Sequence, residues 1–265
     1  MNYSTLTLLE VAHRATILLT GLTTKYLSPK DRLSQSELKE QYFPTCPTCK
    51  KIKTKNPIVA KNHTEAINEI LKILTSQENG IIKDKNEIAA VGHRIVHGGE
   101  YFTRPVIVNE TVKKNLEKCY DIAPLHTPHH VKGILAIEEL LPQVPQVTVY
   151  DTAFHQTIPK FAYLYALPYR FYQQFNIRKY GFHGVSNQYI TERLSEITKI
   201  PTEKLKIINC HLGNGASVTA IKYGKSVETS MGFTPLSGLI MGSRCGDIDP
   251  SIPLHLNVKR IIKNK

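Results

Sequence analysis

The apolar positions change period several times along the chain, and each change predicts an element. Ile67, Ile70, Leu71 and Leu74 recur three and four residues apart, as on one face of a helix, and Asn62 with Glu65 forms a start signal ahead of them. Asn79-Gly80 is the expected stop. Residues 88–96 then read as a strand and 105–108 as a second, short one. Val112, Leu116 and Cys119 mark another helix. Thr127-Pro128 opens the next, with proline in the first turn where helices tolerate it, and Ile134, Ile137, Leu140 and Leu141 form its apolar face. Residues 147–150 suit a strand ending at Asp151. Ser186 is expected to cap a later helix that buries Ile190, Leu194 and Ile197. Strands alternating with helices predict an α/β architecture. No internal repeat is evident.

One stretch combines two strand patterns with a glycine turn. KIINCHLGNGASVT (206–219) runs from Ile207 and Ile208 through His211, Leu212, Gly213, Asn214 and Gly215 into Ser217-Val218-Thr219. Glycines in a turn permit positive φ, and they let main-chain N–H groups approach an anion with no Cβ in the way. An isolated turn of this kind usually holds nothing. Here it keeps company with four other segments rich in His, Arg, Asp and Gly.

Composition narrows the class. At 265 residues the chain suits one large domain or two modest ones, and 41% hydrophobic with 21% charged residues fits a soluble globular protein with no membrane partner. Residues 15–22 are apolar but short, and read as a buried element rather than a signal peptide. Five cysteines without disulfide spacing favour a reducing, cytoplasmic location. The net charge of +12 is spread over scattered lysines with no nucleic-acid module, so it reads as a field that concentrates small anions. Cys46 and Cys49 make a lone C-x-x-C, read as a turn, followed by a lysine-rich loop. The aromatic run 159–175 reads as packing under a loop.

Four candidates for chemistry stand out by residue type. Arg94, in GHRIVHGGE, carries a planar fork for carboxylate or phosphate. Asp151 ends a strand, where ligands of α/β proteins usually bind. His183 lies between two glycines just before a helix N-terminus, a place for an anion and for a donor to a transferring phosphoryl group. Arg244, in GSRCGD, is a second arginine beside glycines.

Together these segments resemble the acetokinase (acetate/propionate kinase) family of the actin-like ATPase superfamily. The resemblance rests on GHRIVHGGE (92–100), APLHTP (123–128), VYDTAFHQTIP (149–159), YGFHGVS (180–186), HLGNGAS (211–217) and TPLSGLIMGSRCGDIDP (234–250). It implies an actin-like (ribonuclease H-like) fold with mixed sheets and flanking helices. It implies reversible, ATP-dependent phosphorylation of a short-chain carboxylate to an acyl phosphate, with Mg2+. Asp151, His183 and Arg244 would be catalytic, and Arg94, Val96, Leu125, Phe182 and Pro235 would bind the substrate. His211, Leu212, Gly213, Asn214 and Gly215 would bind phosphate. A homodimer is compatible with the family.

The resemblance also divides the chain: 1–60 with no family match, 61–150 as part of a first domain, and 151–265 as an incomplete second domain that binds nucleotide. Residues 1–60 lack the family's serine-rich loop. Ser237 and Thr127 stand where the family usually has glutamate and asparagine. Neither metal ligands nor an adenosine site is found, so the chain reads as a core cut at both ends. The alternative reading is a non-catalytic anion-binding or interaction remnant.

Overall fold

A computed structural model describes residues 60–77, 80 and 82–258. The expectations for residues 15–22, Cys46 and Cys49 lie outside the described residues. The chain divides into two units, one running to His97 and again over Pro105–Val149, the other comprising Gly98–Arg104 and the chain from Tyr150 onward.

In the first unit, helix α1 (His63–Leu74) starts where the pattern predicts. Asn62 Oδ1 accepts the Glu65 N–H at 2.8 Å, and the Glu65 carboxylate accepts the Lys61 N–H at 2.7 Å. The helix ends at Leu74, earlier than the Asn79-Gly80 signal, because the Thr75 hydroxyl donates to the Leu71 carbonyl and closes the last turn. Strand β1 (Val91–Ile95) is shorter than the apolar run that predicts it. Strand β2 (Val106–Ile107) pairs antiparallel with β3 (Gln146–Tyr150), and the sheet order is β1-β3-β2. Helix α2 (Glu110–Glu117) is capped by Asn109, and α3 (Thr127–Leu140) starts at the expected threonine.

The core of this unit joins Ile67 and Leu71 of α1, Val91 of β1, and Ala136, Ile137 and Leu141 at the end of α3. Of these, Ile67, Leu71, Ile137 and Leu141 are positions that the helical apolar pattern singles out. Truncating a side chain such as Ile137, which is 1% exposed, costs about 2–5 kcal/mol.

In the second unit, Phe102 stacks on Tyr150 with ring centroids 4.2 Å apart. A 3-10 turn (Ala153–Thr157) follows Asp151. Helices α4 (Lys160–Tyr163) and α5 (Tyr169–Phe175) carry the aromatic run. The run is not packing under a loop, since Phe161, Tyr169 and Phe175 are exposed. Tyr163 instead lies under the Arg178 guanidinium, 3.6 Å from ring centroid to Cζ.

Helix α6 (Gly184–Thr198) corrects a second expectation. Its N-cap is His183, not Ser186, and its buried residues are Gly184, Asn187 and Thr191. Ile190 and Ile197 are exposed. The buried face is small and polar because it meets strand β4 (Lys206–Leu212) through a hydrogen bond, Asn209 Nδ2 donating to Asn187 Oδ1 at 2.7 Å. Strands β5 (Ala216–Lys222) and β6 (Lys225–Thr229) complete an antiparallel sheet in the order β4-β5-β6. Helix α7 (Ser251–Val258) follows.

Candidate active site

The β4–β5 hairpin is in continuous register from Lys206↔Lys222 to Leu212↔Ala216, so the chain reverses across Gly213, Asn214 and Gly215. Neither glycine of this turn has a positive φ. Their use is the other one that sequence reading allows, which is room. A Cβ on Gly215 would lie 3.4 Å from Arg244 Nη1 and 3.5 Å from His183 Nε2. Main chain, guanidinium and imidazole therefore converge on one small volume in the second unit.

His183 is held there by its backbone. It caps α6 with φ of 60°, a left-handed conformation that histidine adopts at a cost of about 1 kcal/mol or more. The next N–H, that of Gly184, donates to the Asp151 carbonyl at 2.8 Å. A Cβ at 184 would lie 2.2 Å from that carbonyl oxygen, so glycine is required by the close approach. One helix-terminal donor is thus spent on fixing Asp151 rather than left for an anion. The Asp151 residue is 2% exposed.

Two serines orient the imidazoles. His183 Nδ1 lies 2.9 Å from Ser217 Oγ, and His211 Nδ1 lies 2.9 Å from Ser186 Oγ. The two rings stack with centroids 4.0 Å apart. When the Ser217 hydroxyl donates to Nδ1, the proton of neutral His183 sits on Nε2, the atom nearest Gly215.

Arg244 is half-buried in a loop tied to the hairpin. Its Nη1 donates to the Pro235 carbonyl at 3.3 Å and lies 3.5 Å from Met241 Sδ. The Gly242 N–H donates to the Asn214 carbonyl at 3.1 Å, and Met241 N–H to the Arg244 carbonyl at 2.9 Å. These bonds set the guanidinium beside the glycine turn.

The remaining predicted residues are distributed as follows. Phe182 is buried and Pro235 half-buried in the second unit, while Leu212 is 72% exposed at the hairpin tip. Arg94, Val96 and Leu125 belong to the first unit; Arg94 is on the exposed side of β1 and Leu125 is 80% exposed. The Arg94 charge reaches His130, where it adds to burial and His126 in lowering that ring to a pKa of about 3.

Sequence reading misses His155, which lies inside VYDTAFHQTIP but carries no local signal of its own. It is fully buried, with Nδ1 2.9 Å from Ser226 Oγ and Nε2 2.8 Å from the Phe182 carbonyl. It also misses Ser186 and Ser217 as supports of the two stacked rings. Among the described residues, no group of three His, Cys, Asp or Glu side chains could hold a metal ion, and no helix is long and apolar enough to cross a membrane.

Comparisons with known proteins agree with the motifs. The sequence profile of the acetokinase family matches residues 29–263. The acetate kinase of Caldanaerobacter subterraneus subsp. tengcongensis is 57% identical over 199 residues, 75% of this chain and 50% of that relative. That of Dictyoglomus turgidum is 55% identical over 203 residues, 77% of this chain and 50% of the relative. Among solved structures, Porphyromonas gingivalis acetate kinase superposes with a TM-score of 0.73 at 46% identity, over 76% of this chain and 51% of its own. A propionate kinase from Francisella tularensis gives 0.69 at 41% identity, over 77% and 51%. The chain spans about half the length of the curated relatives it matches. Its α/β fold is the actin-like ATPase fold of these structures, and the chain belongs to the acetokinase family.

Proposed function

We propose that the second unit carries the phosphoryl-transfer centre of an acetate kinase-type reaction, in which ATP and a short-chain carboxylate give ADP and an acyl phosphate. The observation that carries the reading is the approach of Gly215 to both Arg244 Nη1 and His183 Nε2. A group of phosphate size beside that main chain would meet a permanent cation and an imidazole N–H at once.

In this reading a carboxylate oxygen attacks the terminal phosphorus, the O–P bond to ADP breaks, and the negative charge on the three remaining oxygens is what the site must meet. Arg244 and His183 neutralise and hydrogen-bond those oxygens, and the His211–Gly215 turn holds the phosphate chain. Little covalent work falls to the protein, so positioning dominates. Asp151 is assigned a catalytic role on family resemblance, supported by its attachment to Gly184, the residue after His183. Arg94, Val96, Leu125, Phe182 and Pro235 are assigned to the carboxylate and its alkyl group on the same ground. A small apolar pocket separates acetate from propionate by about 1–3 kcal/mol per methylene.

Magnesium, which the family resemblance implies, would enter with the nucleotide phosphates and neutralise part of their charge. We assign the first unit to the first acetokinase domain and the second to its nucleotide-binding domain. Cys119, Cys210 and Cys245 are free thiols, which suits a reducing compartment.

The test is hydroxamate trapping of acyl phosphate from the purified chain with ATP, magnesium chloride and acetate or propionate. Trapped product that disappears in the Arg244→Ala variant supports the reading. Saturable binding of inorganic phosphate with no product in either substrate supports instead a non-catalytic anion binder.

A further inference from the structure

The geometry points to His155 as a positioning residue that sets the loop presenting His183, an inference that rests on the reading above. The 3-10 turn Ala153–Thr157 leaves Asp151 and places the His155 ring against two other segments. One is the loop between Tyr180 and Gly184; the other is β6, which supplies Ser226.

The tautomer follows from the partners. A carbonyl only accepts, so the 2.8 Å contact to Phe182 requires the proton on His155 Nε2. Nδ1 is then the acceptor, and the Ser226 hydroxyl donates to it at 2.9 Å. The Ser226 carbonyl in turn accepts the Thr157 hydroxyl at 2.8 Å, which ties the turn to the same strand residue.

The bonded carbonyl belongs to the residue immediately before His183. Fixing it orients the Phe182–His183 peptide, and with it the left-handed φ of 60° that aims the imidazole at Gly215. Gly181, at φ 72°, packs close to the His155 ring; a Cβ there would lie 2.9 Å from Cγ and Cδ2. The loop is thus held by its carbonyl and by its α-carbon. Asp151 lies two residues before this turn, and its own carbonyl accepts the Gly184 N–H. His155 and Asp151 therefore bracket His183 from the two sides in sequence, one gripping the peptide before it and the other the peptide after it. His155 is fully buried and touches no reacting atom.

Three variants separate the contributions. The amide nitrogen of His155→Gln reaches roughly the place of Nε2 and keeps the donor to Phe182. His155→Asn reaches only the place of Nδ1 and loses it. Ser226→Ala keeps the ring and its donor to Phe182 but removes the hydrogen bond that anchors Nδ1 to β6. The first readout is the imidazole carbon–proton cross-peak of His183, with its movement on adding inorganic phosphate. The second is the kcat–KM split in the hydroxamate assay.

The expected result is a displaced His183 cross-peak in His155→Asn, with phosphate affinity weakened about tenfold and kcat down about 10–100-fold at nearly unchanged KM. His155→Gln restores the wild-type cross-peak position and stays within about threefold of wild type. Ser226→Ala falls between them. A His183 resonance identical in wild type, His155→Asn and Ser226→Ala overturns the inference, and so does equal impairment by Asn and Gln. If the wild-type chain traps no acyl phosphate while the His183 cross-peak still follows residue 155, the kinase reading fails and the positioning role stands.

Discussion

In the first unit, His63, His129 and His130 each keep a buried ring nitrogen with no hydrogen-bond partner among the described residues. In the second unit, His155 uses both nitrogens, and His183 and His211 each rest on a serine hydroxyl. The difference is one of hydrogen bonding: the rings of the second unit are oriented by named partners. A ring nitrogen without a hydrogen-bond partner does not itself select a tautomer. When a serine hydroxyl donates to one nitrogen of a neutral ring, the other nitrogen carries the proton, which is the arrangement the proposed phosphoryl-transfer centre uses.

The largest expected effect separating the units is on stability in acid. Burial pushes His63, His93 and His97 down to about 4 and His130 to about 3, all in the first unit; it pushes His155, in the second, to about 4. All five lie below the ordinary 6.5, so the folded rings stay neutral while the unfolded chain takes up protons. Their contribution is complete above pH 6.5 and is lost as pH falls from there toward 4. For His97 and His155, the most buried, the loss is about 1.4 kcal/mol per pH unit each. Amide exchange at pH 7 and pH 5 checks this. Peptides from α1 and α3 are expected to lose protection before those from β4 and β5; the reverse order breaks the comparison.

Next in size is Arg244→Ala. Removing a guanidinium beside the developing charge is expected to lower acyl phosphate formation about 100–1,000-fold, or about 3–4 kcal/mol, with the circular-dichroism melt unchanged. Loss of less than fivefold would remove Arg244 from the site.

Paired leucine substitutions sharpen the contrast directly. His155→Leu strands the Ser226 hydroxyl and the Phe182 carbonyl, and is expected to cost about 2–3 kcal/mol in urea unfolding. His130→Leu discards a buried nitrogen that has no partner, and is expected to stay within about 1 kcal/mol of wild type. Equal losses would mean that the two units hold their rings by the same means.

How far the chain is legible follows from where the partners lie. The first unit's core is written in local apolar spacing, so Ile67, Leu71 and Ile137 are found by counting. Helix α6 defeats the same count, because its buried residues are Gly184, Asn187 and Thr191 while Ile190 and Ile197 are exposed. At the site, His183, Arg244 and the glycine turn are legible by residue type. His155 is not, since its serine partner lies 71 residues away. Nor does sequence tell which glycine serves conformation and which serves room.

The smallest expected effect is that of Ser186→Ala. It removes the hydroxyl beside His211 Nδ1 and is expected to reduce turnover about two- to fivefold, read in the hydroxamate assay against Ser217→Ala, which acts on His183 itself and is expected to cost about tenfold. A larger loss from Ser186→Ala than from Ser217→Ala would make His211 the more demanding of the two rings.

The left-handed backbone at His183 has a consequence for laboratory evolution. Asparagine or glycine would occupy that dihedral with less strain and would start the following helix at least as well. A library screened only for heat resistance is therefore drawn toward replacing this residue and discards the imidazole in doing so; a screen that also demands turnover has to hold on to it and look elsewhere for melting temperature.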